Sequence, residues 1–287
     1  MLFPESELVL NDKGQVYHLG LFPENISTNI IVVGDQDRVE LIAGFFDHAE
    51  FSTQHREFCT ITGMYQGKRI TVLSTGIGTD NIDIVLNELD ALVNIDLKQR
   101  IEKVNKTSLQ IVRIGTCGIL QADIPLHSYV LSTHAFGLDN VAHFYPIAFT
   151  TDEKEMLEAI SGHVLLPPKI QPYVTKSSEN LMNKLYSDQT YTGITVTSSG
   201  FYGPQGRSLR LGLSTIDMNE RLTSFHFENH RIVNFEMESS ALFVLGKALG
   251  HECATICLGV ANRPNNLFSK GCVKEMNDLI RYVLDRI

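Results

Sequence analysis

The sequence predicts an α/β protein built on a mostly parallel or mixed sheet covered by helices on both faces. Three observations carry this expectation. Short apolar runs recur along the chain, and several of them end in glycine. Between the runs lie stretches with an apolar period near 3.6 residues, the alternation that strand–helix units produce. The chain has 287 residues, 43% of them apolar, which is enough for one large α/β domain with a sizeable core.

The expected strands, in order, are residues 29–34, 69–76, 110–115, 128–132, 193–197 and 254–260. Each is a short Ile/Val/Leu/Thr-rich run of the kind buried on both faces of a sheet. Ile82, Val85, Leu86, Leu89, Leu92 and Val93 form one helical stripe. Ala241, Leu242, Leu245, Ala248 and Leu249 form a second, with Gly250 in the helix-ending position. Val273, Met276, Leu279, Ile280, Val283, Leu284 and Ile287 mark an amphipathic C-terminal helix. The charged stretch 96–106 reads as a surface excursion. No repeat, low-complexity tract or Pro/Gly/Ser-rich linker interrupts the pattern, so one domain spanning 1–287 is expected.

Composition narrows the function classes. The formal net charge of −9 is spread along the chain, which disfavours nucleic acid as a partner but not a small anion, because such a ligand feels local charge. Cys59, Cys117, Cys253, Cys257 and Cys272 include no CxxC pair and read as reduced thiols, most of them core fillers. The first ten residues carry two glutamates and no basic n-region, and no apolar run reaches membrane-spanning length. A soluble, cytoplasmic protein without a membrane partner is expected.

Ligands of such sheets sit beyond the carboxyl ends of the strands, and the loops there are informative. After the first run, Gly34-Asp35-Gln36-Asp37-Arg38 offers helix-start amides and a guanidinium, which suit a phosphate; a capped helix with a solvated arginine is the bland alternative. Ser74-Thr-Gly-Ile-Gly78 permits close backbone approach, and a helix start near Asp80, with Asp80 as its cap, would disfavour an anion there. Arg113 stands inside an apolar strand, so it must be paired with a buried acid or face a polar cavity, and Thr116 adds a hydroxyl. His55-Arg56-Glu57-Phe58 reads alone as an exposed, charged strand edge. In Phe201-Tyr-Gly-Pro-Gln-Gly-Arg207, Gln205 can read an amide-like edge, Arg207 a carbonyl, and Phe201 offers a stacking face. Asn234-Phe-Glu-Met-Glu-Ser239 is expected to open the helix that ends at Gly250. Its carboxylates, Glu236 and Glu238, would accept from sugar hydroxyls while Met237 packs on the ribose; simple compensation of the helix dipole explains the pair equally.

Together these segments resemble the nucleoside phosphorylases of the uridine phosphorylase type, in similarity running from Val16-Tyr-His-Leu-Gly20 to Asn262-Arg263. The motifs that carry it are Gly-Asp-x-Asp-Arg38, His-Arg-Glu-Phe58, Ser-Thr-Gly-Ile-Gly78, Arg-Ile-Gly-Thr-x-Gly118, Phe-Tyr-x-x-Gln-x-Arg207 and Glu-Met-Glu-Ser239. The resemblance implies a single three-layer α/β domain with a twisted central mixed sheet flanked by helices. It implies phosphate binding by Gly34, Arg38, Arg113 and Thr116, with Arg56 supplied by a neighbouring subunit and His18 crossing the same interface to the ribose. Phe201, Gln205 and Arg207 would hold uracil; Met237 and Glu238 would hold ribose, with Glu236 beside them. Gly118 and Arg263 join the expected substrate-binding residues, and Arg207, Arg113 and Glu238 are the expected catalytic ones. The implied assembly is a homodimer, or a hexamer of such dimers.

No organic cofactor or catalytic metal is implied; phosphate is a co-substrate. Some bacterial relatives hold a monovalent cation between subunits at positions matching Glu57, Ile77 and a serine. Here the third position is Asn81, which does not support predicting the ion. The rival readings are a purine nucleoside phosphorylase or nucleosidase of the same superfamily, and a nucleoside-binding protein without catalysis. The purine enzymes place an aspartate where this chain has Asn262-Arg263, and a hydrolase has little use for three arginines.

Overall fold

The structure, a computed structural model, describes residues 2–287. It begins with β1 (Asn29–Val33), α1 (Gln36–Ala43) and a meander of β2 (His48–His55), β3 (Phe58–Tyr65) and β4 (Lys68–Ser74). Then come α2 (Thr79–Asn94), the two-residue strands β5 (Ile95–Asp96) and β6 (Ile101–Glu102), and the long strands β7 (Gln110–Ile119) and β8 (Tyr129–Gly137). Next are α3 (Thr151–His163), β9 (Tyr173–Lys176), α4 (Glu179–Leu185), β10 (Thr190–Thr197) and α5 (Met218–Ser224). The chain closes with β11 (His226–Phe227), β12 (His230–Glu236), α6 (Ser239–Leu249), β13 (Glu252–Asn262), β14 (Leu267–Phe268) and α7 (Val273–Leu284).

β4, β1, β7 and β13 lie side by side in parallel. β13 meets β8 antiparallel, and β10 and β12 follow β8 in parallel. β12 then pairs back onto β7, Asn234 opposite Ile119 and Phe235 opposite Gly118. The mixed sheet therefore curls until β7, β13, β8, β10 and β12 form a ring, while β3 and β2 extend its open edge antiparallel.

Alternation along the strands decides which helices cover which face. Ile30 and Val32 of β1 join the core under α2 and α6, whereas Ile31 and Val33 join the core under α1, α4 and α7. A third cluster packs α3 and α5 on β8, β10 and β12. The stripe of α2 is buried as expected except for Val93, which is half-buried, and Gly250 caps α6 with φ of 82°.

Several expectations need correction. The run at 110–115 continues to Ile119, carrying β7 past the glycine that seemed to end it, and the run at 128–132 continues as β8 to Gly137. α6 does not present one stripe: residues 239–246 are buried on every side and Ala248 is exposed, the pattern of a helix enclosed by the core. Val273 is exposed at the start of α7, and Ile287 is buried beyond its end. The stretch 96–106 lies largely on the surface as expected, and Arg100 within it exchanges hydrogen bonds with Phe3 and so clasps the N-terminal segment. Among the described residues no helix is long and apolar enough to cross a membrane.

Candidate active site

A cavity of about 570 Å³ opens at the carboxyl ends of β1, β7, β12 and β13. It gathers Gly34, Arg38, Arg113, Thr116, Gly118, Phe201, Gln205, Arg207, Glu236, Met237 and Glu238, eleven of the site residues expected from sequence. His18, Arg56 and Arg263 are not among its lining residues.

The turn after β1 is built by Asp35, which caps α1 by accepting from the Asp37 amide at 3.0 Å. This sets Arg38 on the first turn of α1, against the cavity. Burial, and next the charge of Arg113, push its guanidinium below the ordinary value. An anion bound here would offset both effects, since it would hydrogen-bond the buried guanidinium and screen it from the charge of Arg113.

Arg113 projects from β7, with Val32 and Thr255 as its strand neighbours, and is 5% exposed. Its guanidinium folds back over Gly115, where any Cβ would overlap Nη1, so this close approach requires glycine. Nη2 pairs with Glu238, and Nη1 lies 3.5 Å from Glu236 and from the Cys257 sulfur. Burial works against the charge on Arg113, but Glu238 and then Glu236 outweigh it and raise its pKa. Both alternatives posed by the buried arginine hold together: it is paired with acids, and it lines the cavity. Its Nε–H has no partner among the described residues.

The two acids differ from their expected placement. Glu236 ends β12 and does not sit on the helix; Glu238 occupies the N-cap position of α6, and its side chain makes no capping bond there. Glu236 accepts from the Thr197 hydroxyl at 2.6 Å and from the Glu238 and Ser239 amides at 2.9 and 3.0 Å. Those bonds occupy nearly all its acceptor capacity. Glu238 accepts from Arg113 and, at 2.8 Å, from the Gly78 amide, which leaves about two of its roughly four lone-pair sites free. α2 starts at Thr79 with Gly78 as its cap, so Asp80 is an exposed first-turn residue and the Asp80 cap expected from sequence is not formed. The anion at that helix end is the Glu238 carboxylate, which suits the helix dipole.

Across the cavity, a 3-10 turn over Gly203–Gln205 buries Gln205 to 3% exposure. Arg207 donates to Gln205 Oε1 at 2.5 Å and to the Phe201 carbonyl at 2.6 Å. Its guanidinium also lies 3.8 Å from the Phe201 ring centroid. One face of that ring is therefore covered by Arg207, while the ring, 47% exposed, still lines the cavity. Burial, and then the neighbouring Arg263, bring Arg207 down to about 10, so it stays charged at neutral pH. Arg263 stands behind the turn, donating to the Gln205 carbonyl at 3.1 Å and near the Gly206 carbonyl at 3.4 Å.

His18 and Arg56 meet outside the cavity. His18 Nδ1 lies 2.7 Å from Glu88, whose carboxylate also takes the His18 and Leu19 amides. His55 Nδ1 contacts the His18 carbonyl at 2.7 Å, and Arg56 lies beside Tyr17. Arg56 and Glu57 form the two-residue turn of the β2–β3 hairpin, with Arg56 left-handed at φ of 56°, while His55 and Phe58 are the paired strand residues that flank it, so the run is a hairpin tip and not a continuous strand edge. Phe235, Val260 and Phe268 line the cavity without having been expected. Phe235 and Val260 sit in strand runs that read as core, Phe268 sits in the polar stretch Asn265-Asn-Leu-Phe-Ser-Lys270, and nothing in their type marks them as ligand contacts.

Comparison with known proteins places this geometry. The sequence profile of the phosphorylase superfamily matches residues 28–283. The uridine phosphorylase of Thermococcus kodakarensis is 26% identical, over 95% of this chain and 87% of its own length. That of Escherichia coli is 28% identical, over 88% and 87%. A solved nucleoside phosphorylase of Trypanosoma brucei, described as showing uridine phosphorylase activity, superposes with a TM-score of 0.88 at 29% identity, covering 98% of this chain and all of that one. With the profile spanning nearly the whole chain and the same fold recurring in these proteins, the chain belongs to the phosphorylase superfamily.

Proposed function

We propose that the cavity binds uridine beside inorganic phosphate and catalyses the reversible phosphorolysis of uridine to uracil and ribose 1-phosphate. One observation carries the reading: a single cavity holds two arginines for an oxyanion, a carboxylate with spare acceptor sites, and the Gln205–Arg207 pair. Arg38, the Gly34 amide and the Thr116 hydroxyl are the phosphate donors, and Arg113 couples that end to Glu238. Glu238 accepts from ribose hydroxyls and Met237 packs on the sugar, while Glu236 holds both in place. A phosphate oxygen forms the new bond to C1′ as the bond from C1′ to the base nitrogen breaks, through an oxocarbenium-like state. The electron pair departs with uracil and spreads onto its carbonyl oxygens, where Arg207 stabilises it and Gln205 fixes the ring edge. No proton donor is required.

The base assignment is supported at the end of β13. Asn262 is 1% exposed, and its amide is fully used by the Gln121 and Ile124 carbonyls and the Asn265 amide. No carboxylate follows β13 among the described lining residues, so nothing there can protonate a purine at N7. The uridine phosphorylases among its relatives support the same substrate. His18 and Arg56 complete the site of a neighbouring copy in a homodimer.

An ultraviolet assay of uridine, thymidine, inosine and adenosine, each with and without phosphate, tests this directly. Uridine cleavage that depends on phosphate is the expected result. Phosphate-independent cleavage, or preference for inosine, would overturn it.

A further inference from the structure

His127 lies outside the cavity, in the loop between β7 and β8, and has no part in the chemistry above. It is nonetheless placed at a cost: its backbone is left-handed, with φ of 66°, where a residue bearing a Cβ is disfavoured. Strain of this kind persists only where surrounding contacts impose it. Those contacts all lead to one place. The His127 amide donates to the Gly259 carbonyl at 2.8 Å, next to the register shift between Gly259 and Ala261 on β13. Its Nε2 lies 2.7 Å from Ser269 Oγ, and its Nδ1 faces Glu275 on α7 at 3.6 Å. Ser269 Oγ itself donates to the Gly271 carbonyl at 3.0 Å, so it accepts from His127 Nε2–H.

Ser269 directly follows Phe268, the outermost ring of the cavity lining, which is 71% exposed. The β13–β14 hairpin that carries Phe268 has just two residue pairs, Ala261 with Phe268 and Asn262 with Leu267. So short a hairpin is marginal unaided. Beyond those pairs, its return strand is fastened by the Ser269 amide to the Val260 carbonyl at 2.8 Å and by the imidazole of His127.

We propose that His127 is a positioning residue: through Ser269 it pins the β14 hairpin so that Phe268 forms one wall of the nucleoside cavity. This rests on the proposed phosphorolysis, and its test separates the two. His127→Gly is the informative variant, because glycine keeps the left-handed backbone without strain while removing the imidazole. The KM for uridine is expected to rise about tenfold, with kcat and the KM for phosphate unchanged, since a wall that binds ground and transition states alike affects KM alone. Ser269→Ala should give the same change, and the double variant no more than either single one, because both break one contact. Trypsin should also nick the variants after Lys270 several-fold faster than the parent, a readout independent of activity. Unchanged uridine KM in His127→Gly, or effects that add in the double variant, would overturn the proposal. A parent protein with no phosphate-dependent activity would instead sink the function, while the Lys270 nicking rates would still decide the latch.

Discussion

His134 on β8 is an imidazole in a place that resists its charge. It is 6% exposed, stacks edge-on against His230 with centroids 5.0 Å apart, and lies opposite Lys176 on β9. Burial, then His230, then Lys176 lower its pKa to about 4. Between that value and about 6.5, the unfolded chain holds a proton at this residue that the folded chain does not. Stability therefore falls as pH drops through that window and levels off below it, by an amount on the order of 3 kcal/mol. Denaturant midpoints at pH 7.5 and pH 5 should diverge in the parent and much less in His134→Gln; an equal drop in both would exclude His134 as the cause. No pattern in the sequence reveals this histidine, since its depressed pKa comes first from burial in the folded core and then from His230 and Lys176, far away along the chain. Arg113 is the opposite case. A charge inside Gln110-Ile-Val-Arg-Ile announces itself, because an unpaired buried guanidinium is too costly to keep. Its partners, Glu236 and Glu238, are 123 and 125 residues further on, and only the pairing of β7 with β12 and β13 brings them within reach.

α6 owes its start to other elements. A helix leaves its first amides unpaired; here Glu236 of β12 takes those of Glu238 and Ser239, and Thr197 of β10 takes that of Ser240 at 3.0 Å. The same Thr197 hydroxyl donates to Glu236, so one side chain caps the helix and orients the acid beside Arg113. Thr197→Val keeps the shape but strands a buried amide and a carboxylate lone pair. A loss of about 1–3 kcal/mol is expected by denaturant titration, together with a fall in kcat/KM as Glu236 loosens. A variant as stable and active as the parent would show that Thr197 caps nothing of consequence. This borrowed cap also explains why 234–239 misleads as sequence. Two acids just before a helical stripe read as its first turn, yet Phe235 and Glu236 are held extended by β7 and β10. β1, β4, β10 and β13 are legible because strands buried on both faces are nearly continuous apolar runs. β2 is not, since as an edge strand it is polar and largely exposed, and β3 mixes threonine and glycine into a run that only β4 and β2 make a strand.

At the scale of the molecule, one chain encloses the cavity by curling its sheet until β12 meets β7, and the same curl leaves the β2–β3 hairpin outside. The hairpin tip divides its residues: Glu57 lines the cavity, whereas Arg56 turns away to Tyr17 and the His18 segment on the surface. A basic cluster beside a cavity that it does not enter supports the proposed homodimer, in which an isologous interface would return each protruding element to the other copy's cavity. Under that assembly, Arg38→Ala and Arg56→Ala fail for different reasons, the first by damaging its own cavity and the second by damaging its neighbour's. Each variant alone should be nearly inactive. After mixing in equal amounts under conditions that exchange subunits, half the dimers are mixed and each of those holds one site with both arginines. Activity should recover to about a quarter of the parent's, the statistical limit for a two-fold dimer. A mixture no more active than the average of its components, with exchange verified by mass tagging, would mean that each chain completes its own site and that Arg56 serves only the hairpin.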